Sequence, residues 1–110
     1  MSHHNIKVFK FSDPLPDLVL SGKKDTTWRI GHDDVTIDNV LSLCRDDGTE
    51  FARAKPKWIK STRFGYLTEE DKKGHESFSS DEEMYRTYSR YYNINVTPDT
   101  PLNVIKYELL

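Results

Sequence analysis

Both ends of the chain have the sequence pattern of a β-strand. Residues Ile6–Phe11 mix β-branched and aromatic side chains before a Ser-Asp-Pro turn, and residues 102–109 alternate apolar with charged side chains. Further short strands and two or three short helices are predicted between them, which suits a small barrel that joins its termini. At 110 residues the chain has the length of one domain. We therefore expect residues 1–110 to form a single unit, with residues 1–4 as a frayed terminus.

Composition narrows the class of protein. With 35% apolar, 31% charged and 12% aromatic residues, the chain is polar but has enough rings to pack a core, which indicates a globular protein. The lone Cys44 can form neither an internal disulfide nor a multi-cysteine zinc site, and we expect it to be a small buried apolar residue. No leader opens the sequence, and no apolar run approaches the roughly 18 residues that a membrane span needs. These features predict a cytoplasmic protein with no membrane partner.

Charge is unevenly distributed along the chain. The net charge of −2 argues against a protein that coats nucleic acid by bulk electrostatics. Residues 50–63 nevertheless carry five basic side chains against one glutamate, whereas residues 69–83 carry seven acidic side chains against two lysines. The two segments either pair in the fold or form two solvated faces of opposite charge.

A β-hairpin is predicted around Gly48. Residues 40–44 form an apolar strand, an Asp-Asp-Gly turn follows, and a second strand begins near Glu50. Ala52, Ala54 and Trp58 are expected to share the apolar face of that strand, and Pro56 indicates either an edge position or a bulge. The opposite face is predicted to be a basic stripe, formed by Arg53, Lys55 and Lys57.

Start and stop signals place three helices. The first follows the Ser-Asp-Pro turn and ends at Gly22, and the second begins at Thr68 and ends near Gly74. The third, over residues 81–92, begins after a Ser80-x-x-Glu83 capping box. Its apolar spacing predicts a buried face of Met84, Tyr88 and Tyr91.

Residues 21–30, SGKKDTTWRI, combine a glycine, three cations, two threonines and a tryptophan between the first helix and the next strand. On that strand Thr27 and Arg29 share one face, and Trp28 is expected to point into the core. The planar Arg29 side chain suits a phosphate or carbonyl oxygen. Lys24 is either a cation for a phosphate or, if buried beside a carboxylate, a base that activates a nucleophile. The simpler alternative is that Lys23 and Lys24 only complement the helix dipole.

The spacing Gly22-x-Lys24-x-x-x-x-Arg29 resembles the motif of ASCH domains, relatives of the PUA RNA-binding domain. The resemblance extends to residues 18–21, the strand at 40–43, the helix start at 67–69 and the closing strand at 104–107. It implies an α+β fold, a PUA-like β-barrel of about five or six strands with short helices covering its openings. The chain departs from the family at Asp38-Asn39, where a Gly-Asp turn is common, and over residues 73–92.

The resemblance also implies a function. ASCH domains are proposed to bind RNA or nucleotide-like ligands, and some small bacterial members are amidohydrolases that remove the acetyl group of N4-acetylcytidine. Those enzymes use a lysine, a threonine three residues later and a glutamate from the later helical region. Lys24 and Thr27 match the first two positions, and Glu76 is the best match for the glutamate, with Glu69 and Glu70 as alternatives.

Two function classes therefore remain open, with a bare protein-interaction adaptor as a third. The binding module, which the sequence favours, takes RNA or a nucleoside or nucleotide in a cleft formed by the Gly22-x-Lys24-x-x-x-x-Arg29 motif and the basic strand. The enzyme acts on an acylated nucleoside with Lys24, Thr27 and Glu76 as catalytic residues. No cofactor or metal is expected, because the histidines have no ligand partners at a recognised spacing. The residues expected to bind the ligand or RNA are Gly22, Lys23, Lys24, Arg29, Arg53, Lys55 and Lys57.

Overall fold

The structure, a computed structural model, describes residues 6–110 and is built on one five-stranded sheet. The strands are β1 (Ile6–Phe11), β2 (Thr26–Arg29), β3 (Val40–Arg45), β4 (Glu50–Arg63) and β5 (Pro101–Leu109). Their order across the sheet is β1-β3-β4-β5-β2, so β1 and β2 lie at the two edges. Only the β1–β3 pair is parallel among the paired strands of residues 6–110. The expected frayed terminus, residues 1–4, lies outside the described residues.

The sheet curls until its two edges approach each other. Arg29 Nη2 on β2 donates a hydrogen bond to the Lys10 carbonyl oxygen on β1, at 3.0 Å. The expected α+β, PUA-like barrel architecture is therefore confirmed, as a half-barrel that curls without a backbone ladder between β1 and β2. The expectation that the barrel joins its termini is wrong. Because β1 pairs in parallel with β3, the first strand is separated from the last strand, β5, by two other strands.

The three predicted helices are confirmed as α1 (Leu15–Leu20), α2 (Glu69–Lys72) and α3 (Asp81–Tyr92). Thr68 and Asp71 form the capping box of α2. Ser80 caps α3 by accepting from the Glu83 N–H at 3.1 Å, while the Glu83 carboxylate bonds to Ser79. No helix within residues 6–110 is long and apolar enough to cross a membrane.

The third helix buries a narrower face than the sequence predicts. Met84 and Tyr88 are buried, as expected, one turn apart. The prediction for Tyr91 is wrong, because its side chain is 58% exposed. Tyr91 lies beside the buried stripe and flanks a cavity instead of entering the core.

Two apolar clusters occupy the two faces of the sheet. The first lies inside the curl and is built on Phe9, Phe11, Leu41, Leu43, Ile105 and Tyr107. The second lies between the outer face and α3, and is built on Trp28, Phe64, Met84, Tyr88, Leu102 and Val104. The predicted burial of Trp28 and Cys44 is confirmed. Because β5 contributes to both clusters, it is covered on both faces.

A bulge in β4 lets one strand serve both clusters. Pro56 pairs with Tyr107 and Trp58 pairs with Lys106, which leaves Lys57 as the extra residue. One extra residue inverts the alternation of faces, because side chains alternate with a period of two. Residues after Lys57 therefore point to the opposite side from the one that the pattern before it predicts.

Three predictions about β4 can now be compared with the structure. The expected irregularity at Pro56 is confirmed, whereas an edge position is wrong because β4 lies between β3 and β5. The prediction that Ala54 and Trp58 share a face is also wrong. Ala54 belongs to the first cluster, and Trp58 packs against the second. The basic stripe itself, Arg53, Lys55 and Lys57, is exposed as predicted.

The basic and acidic segments meet at one ion pair. Lys60 Nζ on β4 lies 2.8 Å from Asp71 Oδ2 in the buried capping box of α2. The Asp71 pKa is lowered, because the hydrogen bonds from Lys60 and Thr68 outweigh the opposing effect of burial. Of the two alternatives for these segments, pairing therefore occurs at this point.

Candidate functional site

A cavity of about 260 Å³ opens where the edge strands β1 and β2 approach α3. Lys10 and Phe11 come from β1, and Tyr88 and Tyr91 come from α3. The cavity also brings together the four residues singled out in the motif and after α2, namely Lys24, Thr27, Arg29 and Glu76. It is slightly smaller than most sites for drug-sized ligands, and it combines aromatic walls with a few polar groups.

Lys24 lies at the bottom of the turn between α1 and β2. Gly22 adopts a φ of 81°, which turns the chain after α1 and sends the Lys24 side chain inward. The side chain is only 3% exposed, and Nζ donates to Glu76 Oε1 and to the Thr26 carbonyl oxygen, both at 2.6 Å. Burial lowers the pKa of Lys24, although the Glu76 carboxylate acts in the opposite direction. The result is a lysine that releases a proton more readily than an exposed one.

Glu76 reaches Lys24 from the loop that follows α2. That loop docks on the start of β2, because the Gly74 carbonyl accepts from the Asp25 and Thr26 N–H groups at 3.0 and 3.2 Å. The Glu76 side chain is 25% exposed. Burial acts to raise its pKa, but the charge of Lys24 and the hydrogen bond from Lys24 Nζ outweigh that effect and hold the pKa below its usual value. Glu76 is therefore a carboxylate at neutral pH, placed as the counter-charge of Lys24.

Thr27 and Arg29 project from the inner face of β2 into the same cavity. Thr27 is 3% exposed, and its Oγ1 accepts a hydrogen bond from Arg29 Nε at 2.9 Å. The guanidinium carbon lies 4.8 Å from the centre of the Phe9 ring and 4.7 Å from that of Phe11. The guanidinium is therefore held in place by two rings and two hydrogen bonds, and it lowers the energy of negative charge on the Thr27 oxygen.

His75 is also a member of the site. The sequence gives it no metal partner and leaves open that it orients a ligand, but favours an exposed loop position, and that expectation is wrong. Its side chain is 1% exposed, and its ring stacks on Trp28 with centroids 3.7 Å apart and planes 8° apart. Nε2 lies 3.0 Å from the Tyr88 hydroxyl, and Nδ1 lies beside Glu76. Burial and the positive charge of Lys24 lower the pKa of His75 to about 3, so the ring is neutral at pH 7. In the sequence, only the position of His75 between Gly74 and Glu76 indicates that it belongs to the site.

Several predicted binding residues lie away from the cavity. Gly22 and Lys23 are exposed on the turn after α1 and do not line it. The basic stripe lies along β4, also outside its walls, and Arg53 pairs with Glu50 at 3.1 Å. Within residues 6–110 the structure therefore separates the predicted ligand-binding residues into a cavity group and a surface group.

A second, wider cavity of about 660 Å³ lies behind the Glu76 loop. Its lining includes Glu69 and Glu70, the two alternative partners for Lys24, and these carboxylates do not line the smaller cavity. Trp28 and Glu76 line both cavities. The glutamate that contacts Lys24 is therefore Glu76, and its side chain stands on the wall between two spaces.

Comparison with known proteins shows the fold. The sequence matches no protein-family model and no curated protein. Among solved structures, the ASCH domain from Lactobacillus crispatus JV V101 is 15% identical with a TM-score of 0.73, over 96% of this chain and 79% of that one. A protein from Enterococcus faecalis V583 is 16% identical with a TM-score of 0.76, over 100% and 83%. A mutant ASCH protein from Zymomonas mobilis is 10% identical with a TM-score of 0.70, over 98% and 70%. The chain therefore has the fold of the ASCH domains.

Proposed function

We propose that this protein binds an acylated nucleoside in the smaller cavity and hydrolyses its amide bond. One observation carries the proposal: the buried Lys24 contacts Glu76 at 2.6 Å in a cavity that Thr27 also lines. An amidohydrolase needs these three groups together in a confined space, whereas a pure RNA-binding module needs an open positive groove. The ASCH resemblance, whose small bacterial members include amidohydrolases, supports the same choice.

Lys24, Thr27 and Glu76 can be assigned roles in a reaction in which every proton that is removed is returned. Transfer of one proton from Lys24 to Glu76 gives a neutral amine and a carboxylic acid. The amine takes the proton of the Thr27 hydroxyl, and Oγ1 forms a bond to the carbonyl carbon. The C–N bond then breaks as Glu76 gives its proton to the leaving amine. Glu76 afterwards takes a proton from water and returns it to Oγ1, while the hydroxide adds to the acyl group and releases it as an acid.

The remaining walls bind and orient the substrate. Arg29 donates through Nε and Nη2 to protein oxygens, and no partner for Nη1 is found among residues 6–110. Nη1 is therefore assigned to the developing oxyanion. The tyrosines of α3 offer ring surfaces on which a nucleobase stacks, and Tyr91 is the most exposed of them.

The test is turnover of N4-acetylcytidine by the wild type and by variants. Lys24→Ala and Thr27→Val should each lower kcat by at least about 100-fold, since each removes an acid–base or nucleophilic group. Thr27→Ser should retain most of the rate. Lys23→Ala is the informative comparison, because Lys23 is the adjacent lysine outside the cavity. If it lowers the rate as much as Lys24→Ala, the cavity is not the site.

Mass spectrometry of the quenched reaction distinguishes the role of Thr27. A nucleophilic threonine leaves an acyl group on the peptide that contains Thr27. Turnover without such an adduct assigns Thr27 to holding the attacking water. Absence of turnover by the wild type on acylated nucleosides contradicts the proposal.

A second candidate function, RNA binding, is supported by the exposure of the basic stripe. Arg53, Lys55 and Lys57 project to solvent from alternate positions of one strand. Each phosphate contact on single-stranded RNA contributes about 0.7 to the slope of log K against log salt. Titration of single-stranded RNA at two salt concentrations should give a slope that falls by about that amount in Lys55→Ala. An equal slope in the variant removes this candidate.

A further inference from the structure

We propose that His75 is a positioning residue, whose Nδ1–H is fixed by the Glu76 backbone carbonyl, faces the Glu76 carboxylate and keeps it against Lys24 by charge–dipole attraction. The inference deepens the proposed function, on which its effect on turnover rests. Its structural part, the orientation of a carboxylate by a buried imidazole, is independent of whether the protein hydrolyses anything.

The contacts of His75 determine which nitrogen carries the hydrogen. Nδ1 lies 2.9 Å from the Glu76 carbonyl oxygen and 3.1 Å from Glu76 Oε1. Both oxygens are acceptors, because a carbonyl has no hydrogen and the carboxylate pKa is held low. Nδ1 must therefore be the donor. Since the ring is neutral at pH 7, Nε2 has a free lone pair, and the Tyr88 hydroxyl at 3.0 Å donates to it.

The imidazole cannot easily leave this orientation. It lies flat against Trp28, with 3.7 Å between the ring centroids. Trp28 is in turn held by a hydrogen bond from Nε1 to the Asp71 carbonyl oxygen, at 3.1 Å. The imidazole therefore contacts β2 through Trp28 and α3 through Tyr88, and Trp28 in turn contacts α2.

His75 and Lys24 both lie next to the same carboxylate oxygen, Glu76 Oε1. Glu76 Oε1 accepts from Lys24 Nζ at 2.6 Å and lies 3.1 Å from His75 Nδ1. Without the imidazole donor, a side chain that is 25% exposed can rotate toward water, since only the lysine retains it. A displacement of about 1 Å at a catalytic group lowers rates by about 100-fold. His75 therefore affects the chemistry without contacting the substrate.

The first measurement is the tautomer of His75 by ¹⁵N NMR of the full chain at pH 7. We expect a neutral ring with a pyrrole-type Nδ1 and a pyridine-type Nε2. The opposite tautomer, or an imidazolium, overturns the proposal.

The second measurement compares two substitutions, each of which keeps a polar group near the position of one ring nitrogen. The Asn amide N–H occupies about the position of Nδ1, whereas the Gln amide reaches about the position of Nε2. We expect His75→Asn to keep kcat within about tenfold of the wild type, and His75→Gln to lower it by about 100-fold with KM little changed. Both variants lose the Trp28 stack, so a general loss of packing lowers both rates alike and contradicts the proposal.

A third readout does not depend on activity. The Lys24 ammonium, protected by its buried ion pair, should give a slowly exchanging ¹⁵N signal in the wild type and in His75→Asn, but not in His75→Gln. A wild type that shows this signal and the Nδ1–H tautomer but hydrolyses no acylated nucleoside contradicts the proposed function alone. A signal that survives in His75→Gln contradicts the role of His75 alone.

Discussion

The buried Lys24 is an energetically costly residue for this fold to accommodate. Transfer of an ammonium group from water to a protein interior is unfavourable unless its charge and its hydrogens are paired. Lys24 meets this condition with two acceptors at 2.6 Å, of which one is charged. Removal of the charged acceptor should therefore affect stability as well as chemistry.

Glu76→Gln is expected to lower the free energy of unfolding by about 1–3 kcal/mol, because it leaves the Lys24 charge buried without a counter-charge. Urea denaturation at pH 7 measures the change. Glu69→Gln is the matched control, since Glu69 makes no ion pair within residues 6–110, and it should change stability by less than about 0.5 kcal/mol. Equal effects of the two substitutions would mean that Glu76 does not stabilise Lys24.

The buried imidazole predicts how stability depends on pH. In the folded state the pKa of His75 is about 3, against an ordinary value of 6.5, so between these values only the unfolded chain takes up the proton. Stability is therefore full above pH 6.5 and falls as the pH is lowered, by at most about 1.4 kcal/mol per pH unit from this group. The lowered pKa of Glu76 adds a loss in the same direction at more acidic pH.

Denaturation of the wild type and His75→Asn at pH 7 and pH 5 separates this contribution from others. His32, whose pKa is also lowered by burial and by Arg29, titrates in both proteins and cancels in the comparison. The variant should lose less stability than the wild type between the two pH values. An identical loss would mean that His75 is protonated in the folded protein.

At the scale of elements, the site depends on how the loop after α2 docks on β2. The contact passes through Gly74, which has a φ of 76° and a carbonyl that accepts two N–H groups of the β2 start. A β-carbon built on Gly74 would lie 1.8 Å from Asp25 Oδ1. The left-handed backbone at this point favours glycine, and a β-carbon would also displace the Asp25 carboxylate from its contacts with Thr26 and Lys106.

Gly74→Ala should destabilise the protein by about 1.5–3 kcal/mol, since it adds the displacement of the Asp25 carboxylate to the cost of the left-handed conformation. Gly48→Ala is the control, because Gly48 has a φ of 89° and a β-carbon added to it would meet no atom within 4 Å. The control should cost about 1 kcal/mol. Thermal unfolding of both variants measures the two costs. Equal shifts in Tm would show that the Asp25 carboxylate moves aside without cost.

An element could be predicted from the sequence when the residues that determine it are adjacent in the chain. Helix α2 and its Thr68 cap follow from adjacent residues, and so does the turn at Gly48. The faces of β4 after Lys57 could not be predicted, because the bulge depends on pairing with the distant Tyr107. Tyr91 fails for a similar reason: helical spacing gives its direction but not how far the sheet extends beneath α3.

At the scale of the whole molecule, a side chain links the edges of the curled sheet. Strands β1 and β2 share no backbone ladder, and Arg29 reaches from one to the other. Arg29 also contacts the rings of Phe9 and Phe11 on β1. The stability of the edge strand β1 should therefore depend on this guanidinium.

Arg29→Lys keeps the charge but cannot donate along both directions, so amide hydrogen exchange across β1 should speed up by about fivefold, the equivalent of one lost hydrogen bond. Arg63→Lys serves as the control. Arg63 is exposed at the end of β4, which does not pair with β1, so its replacement should leave β1 unchanged. Exchange in β1 that is unaffected by Arg29→Lys would show that the curl is maintained by packing alone.

The site was partly predictable from the sequence, and for a physical reason. Lys24, Thr27 and Arg29 lie within six positions of one another, so a single turn and strand bring them together. Glu76 is 52 positions from Lys24, and only the fold brings the two into contact. The basic stripe was predicted as a surface, but its distance from the cavity depends on sheet order, which no local pattern contains.

The position of Glu76 on the wall between two cavities has a consequence for the proposed reaction. In that reaction Lys24 regains its proton from Thr27, whereas Glu76 must take a proton from water while the acyl group still fills the smaller cavity. A carboxylate that also lines the wider space has a second side from which this water can arrive. The proposed substrate and the attacking water would thereby reach the site from different cavities.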